Sequence, residues 1–345
     1  MERTSPTVNV HDYLNQPLTI GNRTIENRLT LAPMAVLGNV AHREMIARYG
    51  GCGLMFMEMC NARLVPHENR QMSMTFKWRD EELNKLVCQL FGSEPGIMAK
   101  AAVRIEQEGF FGVDINFGCS VSAICKKNCG AALLKDPDQA LAIVDAVRKA
   151  VSIPVFAKFR TGWSPDPGPA VALAKGFENA GADALTFHPR VAPDRRGRAP
   201  RWDHIRLVKE AVSIPVFGNG NVFDQEDCRK MIDMTHCDGV ALGRIAVVKP
   251  WIFSVITKGF VPDEALYQRH LFDFIDCLES HFEAKTALRL FKKSAIYYAA
   301  NYTYGHAIWT RLIKADHPDQ VRENIRKLYE LPPELSKSPN MNLML

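Results

Sequence analysis

One pattern constrains the fold of this chain most: a short apolar run followed by an amphipathic stretch, repeated eight times over residues 28–245. The runs are RLTLAPM (28–34), CGLMFMEM (52–59), LVCQLFG (86–92), GVDINFG (112–118), PVFAKFR (154–160), ALTFHPR (184–190), PVFGNG (215–220) and GVALGRI (239–245). None alternates cleanly between apolar and polar residues, which is typical of parallel strands buried on both faces. Eight strand–helix units in succession predict an α/β fold, a TIM (β/α)8 barrel, rather than a doubly wound open sheet.

A different pattern begins after KPWIF (249–253), where the strand-like runs stop. Residues 262–330 have only helical periodicity, as in AKTALRLFKKSAIYYAANY, which predicts a C-terminal all-helical domain. We therefore expect a barrel with an N-terminal hairpin over residues 1–255, a helical domain over 262–330 and a loose tail over 331–345.

The composition is that of an ordinary globular protein, with 47% hydrophobic and 23% charged residues. No apolar run is long enough to span a bilayer, so no membrane partner is expected. The nine cysteines lie in apolar or helical settings, which predicts reduced thiols in the cytoplasm rather than a disulfide framework. A net charge of +5 favours a polyanionic partner only weakly.

Residues suited to binding and catalysis gather at the carboxyl ends of the predicted strands, where TIM barrels carry their chemistry. In chain order they are Pro33-Met34-Ala35, Glu58, Gln89, Asn116 with Cys119, Lys158 with Arg160, His188 with Arg190, Asn219-Gly220-Asn221 and Gly243-Arg244. Glycine-containing turns after the seventh and eighth strands are typical of a phosphate cradle, and the Arg244 guanidinium is a suitable second contact.

Lys158 lies inside the apolar run VFAKFR, where a buried ammonium is costly without a partner. A flavin ring is one suitable partner, because a cation near N1 and O2 stabilises the anionic reduced form. A lysine that forms a Schiff base with a carbonyl substrate is the alternative, and the surrounding residues leave both interpretations open.

Seven motifs in order resemble those of the bacterial tRNA-dihydrouridine synthases, particularly the B type: APMA, QLFGSEP, VDINFGC, CKKNCGAALLKDP, AKFRTGW, GNGNVF and DGVALGR with PWIF. The resemblance implies an FMN-dependent TIM barrel that reduces the C5–C6 double bond of uridine in tRNA. It also implies NADPH as the electron donor and a helical C-terminal domain that helps to hold the tRNA. NADH and rRNA are the alternative donor and the alternative RNA.

The resemblance implies a role for each matching residue. The residues implied at the flavin are Pro33, Met34 and Ala35 lining it, Gln89 and Lys158 on the isoalloxazine ring, and His188 nearby. Those implied at the FMN phosphate and ribityl chain are Asn219, Gly220, Asn221, Gly243 and Arg244. Asn116 and Arg160 would face the uracil, and Cys119 would be the proton donor. This last role is chemically sound: hydride transfer from flavin N5 to C6 builds enolate charge at C5, and a thiol with an ordinary pKa of about 8.5 is protonated at neutral pH.

Cys119 is followed closely by Cys125 and Cys129. This spacing lacks the paired cysteines or nearby histidine of a metal site, and a reducing compartment disfavours a disulfide. We expect no metal, with Cys119 as the acid, Cys125 at a position that is often cysteine in the B-type enzymes, and Cys129 as a small packing residue.

The sequence departs from the family pattern in three places. Ser120 replaces the usual proline after the cysteine, Asn221 replaces an aspartate, and Val36-Leu37-Gly38-Asn39 replaces Gly-Val-Thr-Asp. In addition, LNQPLTIGNRTIENRLTLAPMA resembles the entry strand of the old yellow enzymes, FMN barrels that reduce activated alkenes, and its hairpin would act as a lid under the barrel. A small-molecule ene-reductase and an FMN-retaining RNA-binding protein that no longer reduces uridine are the alternative functions.

Basic residues suited to RNA lie in three segments. They are Lys126 and Lys127 beside the cysteines, the five arginines of RVAPDRRGRAPRW (190–202), and Arg289, Lys292 and Lys293 near Tyr297, Tyr298, Tyr302 and Tyr304. An ordinary solvated loop is the alternative for the arginine segment, and half of the tyrosines are expected to lie in the core.

Overall fold

The computed structural model describes residues 9–194 and 198–344. The chain divides into two compact units. The first contains the chain up to Pro33 together with Cys52–Gly243, and the second contains Met34–Gly51 together with the chain from Arg244 onward. Among the described residues, no helix combines the length and apolarity needed to cross a lipid bilayer.

The first unit contains all the strands found in the described part of the chain. These are β1 (Leu18–Ile20), β2 (Arg23–Ile25), β3 (Leu29–Leu31), β4 (Leu54–Phe56), β5 (Cys60–Asn61), β6 (Leu86–Phe91), β7 (Gly112–Phe117), β8 (Val155–Gly162), β9 (Ala184–Val191), β10 (Val216–Asn219) and β11 (Gly239–Leu242). Strands β3, β4 and β6–β11 coincide with the eight predicted runs. They pair in parallel in the order β4-β3-β11-β10-β9-β8-β7-β6, and β4 also pairs with β6. The sheet therefore closes on itself, and the predicted TIM barrel is confirmed.

The helices alternate with these strands and then continue alone. They are α1 (Val10–Leu14), α2 (Val40–Tyr49), α3 (Pro95–Gln107), α4 (Ser122–Cys125), α5 (Pro137–Ala150), α6 (Gly168–Asn179), α7 (Asp203–Ala211), α8 (Gln225–Thr235), α9 (Ile245–Val248), α10 (Ile252–Lys258), α11 (Glu264–His281), α12 (Ala284–Ala299), α13 (Gly305–Ile313) and α14 (Pro318–Tyr329).

Helix α5 shows how the sequence sets these elements. The Asp136 carboxylate accepts a hydrogen bond from the Gln139 amide at 3.2 Å, and Pro137 occupies the first helical position, so both signals place the start of the helix. Ala140, Ile143, Val144 and Val147 are buried, which puts one face of the helix against the barrel at the spacing of a 3.6-residue turn.

The hairpin of β1 and β2 closes the amino-terminal end of the barrel, as the sequence predicts. The two strands are antiparallel, and Ile20 and Ile25 are buried in a cluster that includes Phe156 and Ala184, near the starts of β8 and β9, and Phe56 of the short strand β4. The rings of Phe56 and Phe156 meet edge to face with centroids 5.3 Å apart. Apolar residues thus fill this end, and the polar residues are left to the opposite, carboxyl-terminal rim.

The second unit is entirely helical and comprises α2 and α9–α14 with a short 3-10 turn at Met341–Met344. Its core is aromatic: Trp251 is fully buried, and its ring contacts Tyr49 and Tyr267 edge to face at 5.6 and 5.0 Å. The segment 331–344, expected to be loose, is exposed or half-buried over most of its length, but two parts of it contact the rest of the unit. Leu335 forms a bridge with Tyr302, and Leu343 and Met344 are buried because they cover apolar helix surface.

Candidate active site

The carboxyl-terminal rim of the barrel in the first unit brings the sequence-predicted residues together through strand register. On neighbouring parallel strands, Gln89 is the Cα partner of Asp114, Asn116 of Lys158, and Arg160 of His188. The sequence predicted the strand ends. The structure adds which side chains stand side by side, and it adds Asp114, which the sequence analysis missed.

A chain of hydrogen bonds links three of these side chains. Gln89 Nε2 donates to Asp114 Oδ2 at 2.6 Å, and Asn116 Nδ2 donates to Gln89 Oε1 at 2.8 Å. Gln89 and Asn116 are almost fully buried, and Asp114 is completely buried. Since a buried amide is held firmly when both its ends are bonded, Asp114 fixes the orientation of Gln89, which fixes that of Asn116.

Asn116 in turn holds the loop that carries Cys119. Its Oδ1 accepts hydrogen bonds from the backbone amides of Gly118 at 3.0 Å and Cys119 at 2.9 Å. On the other side, the Ala131 amide donates to the Cys119 carbonyl at 2.8 Å. The Cys119 side chain is therefore anchored through its backbone although Ser120, rather than proline, follows it.

Burial governs the state of the Cys119 thiol. It raises the pKa of Cys119 above the ordinary thiol value and outweighs the lowering effects of a hydrogen bond from the Val121 backbone and of the cations Arg160 and Lys158. The group is thus a protonated thiol at neutral pH, which suits an acid rather than a nucleophile. Cys125 Sγ donates to the Cys119 carbonyl at 3.5 Å, and Cys129 is buried, as expected of a packing residue.

Asp114 and Lys158 form an interacting acid–base pair under the rim. Burial raises the pKa of Asp114 to about 7, although the Gln89 hydrogen bond and Lys158 oppose the shift. Burial lowers the pKa of Lys158 to about 8, opposed by Asp114 and reinforced by Arg160. Burial thus shifts the pKa values of the two groups toward each other, and such perturbed pKa values are typical of functional sites. Burial also lowers the pKa of Arg160, whose Nε has no hydrogen-bond partner among the described residues.

The rim at β9–β11 is built differently, from amides and glycines. Asn219 Nδ2 donates to the Ala241 carbonyl at 2.8 Å, and Arg190 Nη2 donates to Asn221 Oδ1 at 3.1 Å. Gly220 has a φ of +122°, and a Cβ there would lie 2.8 Å from Cδ2 of the His188 ring. Only glycine permits that approach.

Gly243 complements this arrangement. A Cβ at Gly243 would meet no atom of the described residues within 4 Å, so the backbone there faces open space. Together with the turn at Gly220, this is a backbone surface that a ligand can approach closely.

The remaining predicted cofactor residues fall in two places. Pro33 follows β3 in the first unit, whereas Met34, Ala35 and Arg244 belong to the second unit. Within that unit, the Met34 carbonyl accepts from the Gly38 amide at 2.8 Å, and Arg244 Nη1 donates to the Met344 carbonyl. Arg244 therefore has a protein partner in addition to any role with a ligand.

The segments predicted to bind RNA differ in their surroundings in the structure. Arg190 is buried at the rim, Arg198 pairs with Asp194 at 3.3 Å, and Arg195 and Arg196 lie outside the described residues. In the helical unit, Tyr297, Tyr298 and Tyr302 are core residues, and Tyr304 is exposed. Three of the four tyrosines are thus structural, more than the half expected.

Comparison with known proteins identifies the family. The model of the family described as "Dihydrouridine synthase (Dus)" matches residues 30–324. The chain is 38% identical to tRNA-dihydrouridine synthase B of Pseudomonas aeruginosa over 69% of this chain and 71% of the relative. It is 37% identical to tRNA-dihydrouridine synthase B of Vibrio cholerae over 69% and 74%. TcOYE in complex with pHBA shares the fold, with a TM-score of 0.54 and 14% identity, over 73% of this chain and 94% of that one. The chain belongs to the dihydrouridine synthase family and is a flavin-dependent oxidoreductase.

Proposed function

We propose that this protein reduces the C5–C6 double bond of uridine in tRNA, with FMN as its cofactor, NADPH as the electron donor and Cys119 as the proton donor. Family membership supports the reaction. The observation that carries the site assignment is the chain of hydrogen bonds from Asp114 through Gln89 and Asn116, which ends on the Cys119 amide.

The residues present fit a flavin. Gly220 adopts a conformation reserved for glycine, and Gly243 faces open space among the described residues. We assign Gln89 and Lys158 to the ring system, His188 and Pro33 to its surroundings, and Asn219, Gly220, Asn221 and Gly243 to the ribityl chain and phosphate. Met34, Ala35 and Arg244 belong to the second unit, and their role at the flavin stays a prediction from the family resemblance. Bound FMN supplies the hydride that reaches C6.

The protein's own part in the reaction is to deliver a proton to C5. The Cys119 thiol carries that proton at neutral pH because burial raises its pKa. Transfer breaks the S–H bond and leaves a thiolate, which the nearby cations Arg160 and Lys158 stabilise until solvent reprotonates it. The same cations lower the thiol pKa only partly, so the acid is strong enough to donate and still protonated beforehand.

Substrate orientation falls to Asn116 and Arg160. Asn116 is immobilised by Gln89 and by the backbone amides it accepts from, so it offers a fixed position beside the thiol. The Arg160 guanidinium provides a positive charge for the enolate oxygen that develops at O4 of the uracil.

The test is product formation. Purified protein is incubated with NADPH and unmodified tRNA, and the nucleosides are analysed by mass spectrometry. Dihydrouridine in the wild-type digest and its loss in Cys119→Ala support the proposal. Turnover of a small enone without any dihydrouridine would replace it with an ene-reductase.

A further inference from the structure

A cavity of about 620 Å³ lies in the first unit beside the cysteine loop, and none of the assigned roles uses it. Its lining includes Cys125, Asn128, Lys135, Gln139 and Trp163. Its volume is within the range of about 300–1,000 Å³ that is common for ligand sites.

The cavity adjoins the candidate active site through the chain. Trp163 follows the last residue of β8, the strand that carries Lys158 and Arg160. Cys125, on the cavity wall, donates its thiol to the Cys119 carbonyl. One wall of the cavity is therefore hydrogen-bonded directly to the backbone of the residue that we assign as the proton donor.

Trp163 presents a fixed aromatic surface. Its indole is 37% exposed, although its Nε1 donates to the Ala131 carbonyl at 2.7 Å and holds the ring in one orientation. Lys135 Nζ lies 4.1 Å from the centre of the ring. A partly exposed, immobilised indole is suited to stacking against a planar nucleobase, and the ammonium beside it is suited to holding a phosphate.

The charges around the cavity favour an anion. Its two acidic residues already have partners: Glu94 pairs with Arg63, and Asp136 caps α5. Lys135 forms no ion pair with a carboxylate among residues 9–194 and 198–344. Lys126 and Lys127 are exposed in the adjacent loop, so together with Lys135 they outnumber Asp136, whose carboxylate keeps its charge, and the net charge here is positive.

We propose that this cavity binds a nucleotide of the substrate RNA that neighbours the reacting uridine, with its base stacked on Trp163 and its phosphate held by Lys135. The proposal rests on the proposed function, because the uridine at Cys119 sets the position of the RNA. Stacking accepts any base, so the cavity would position the RNA strand rather than read its sequence.

Steady-state kinetics with varied unmodified tRNA at saturating NADPH test this site. Trp163→Ala should raise the KM for tRNA about tenfold and leave kcat nearly unchanged, because it removes one stacked base. Trp163→Phe keeps an aromatic face and should stay close to wild type, whereas Trp163→Leu should behave like the alanine variant. An equal KM in Trp163→Ala and wild type would overturn the proposal.

The phosphate contact has its own readout. Lys135→Gln should reduce the slope of log KM for tRNA against log salt by about one, the loss of a single phosphate contact. Lys149→Gln, an exposed lysine on α5 paired with Asp145 at 2.7 Å, is the matched control and should leave the slope unchanged. An unchanged slope in Lys135→Gln would count against the site.

Two further measurements separate this proposal from its alternatives. If Trp163→Ala raises the KM for NADPH and not that for tRNA, the cavity serves the dinucleotide, and the proposal is wrong. If wild-type protein forms no dihydrouridine, the proposed function fails. Fluorescence anisotropy with labelled tRNA then still decides the cavity: about tenfold weaker binding by Trp163→Ala supports an RNA subsite, and equal binding rejects it.

Discussion

The two halves of the barrel rim present different kinds of chemical group. The β6–β8 half carries side chains that are ionisable or linked by hydrogen bonds, namely Gln89, Asp114, Asn116, Cys119, Lys158 and Arg160; the first three are buried. The β9–β11 half offers amides, glycines and backbone, with Arg190 bonded to Asn221. The two halves therefore have different roles. The β6–β8 half controls protons and charge, and the β9–β11 half leaves room for a ligand to be held by backbone groups.

This division predicts two kinds of variant. Changes in the β6–β8 half at Asp114, Asn116 or Cys119, which are not assigned to the flavin, should impair the chemical step while the flavin remains bound. Changes in the β9–β11 half should release the flavin while the rate per bound flavin is preserved.

The largest effect is expected for Cys119→Ala. Loss of the general acid should lower the rate of dihydrouridine formation by about 10²- to 10⁴-fold, with the flavin absorbance retained. Cys125→Ala, which keeps the thiol at position 119, is the control and should retain most of the activity. A Cys119→Ala variant that forms product at the wild-type rate would remove this cysteine from the mechanism.

The next effect concerns the glycine pair. Gly220→Ala forces a Cβ against the His188 ring at an unfavourable φ, which costs about 1–3 kcal/mol of strain and should weaken FMN binding by about tenfold or more. Gly243→Ala meets no atom of the described residues, so it should leave thermal stability unchanged and still weaken FMN binding. Titration of apoprotein with FMN, beside thermal unfolding, distinguishes the two. Unchanged FMN affinity in both variants would contradict the proposal that the β9–β11 half holds the flavin.

A smaller effect on the rate is expected for Asp114, which touches neither substrate nor flavin in this assignment. Asp114→Ala leaves Gln89 Nε2 without its acceptor and frees Asn116, so kcat should fall about tenfold with little change in the KM for tRNA. Asp114→Asn restores an acceptor of the same shape and should recover part of the rate. A change in the KM for tRNA with kcat unchanged would show that the hydrogen bonds from Asp114 to Asn116 do not position the loop that carries Cys119.

The smallest effect is on stability. The pKa of Lys158 is lowered in the folded protein to about 8 from 10.5, so the buried ammonium destabilises the fold fully below pH 8, and this destabilisation disappears as pH rises toward 10.5. Lys158→Met should therefore stabilise the apoprotein at pH 7, where the Asp114 carboxyl can take up a proton, and the gain should shrink in alkali, where Asp114 ionises without its opposite charge. Urea unfolding at several pH values measures it, with Lys149→Met as the exposed control. A variant less stable than wild type at pH 7 would show that the ammonium has partners that outweigh its burial.

Much of the fold was predictable, because strands buried on both faces leave an apolar signature that Gly, Pro and amphipathic helices interrupt. The site was predictable only in part. Asp114 lies within the buried run GVDINFG, and a charged residue in such a run is an indication of a functional site. Its role could not be predicted, because it depends on the strand register that places Asp114 opposite Gln89. Trp163 follows a strand and was indistinguishable from an ordinary loop aromatic until its ring was seen fixed to Ala131 beside a cavity.

The most direct test of the proton-donor assignment is anaerobic. The bound flavin is reduced, unmodified tRNA is added, and flavin reoxidation is followed by stopped-flow absorbance with parallel nucleoside mass analysis of wild type and Cys119→Ala. Rapid reoxidation with matching dihydrouridine in the wild type, and loss of both in the variant, is the predicted result. Equal reoxidation and equal dihydrouridine in the two proteins would contradict the role of Cys119 as the acid.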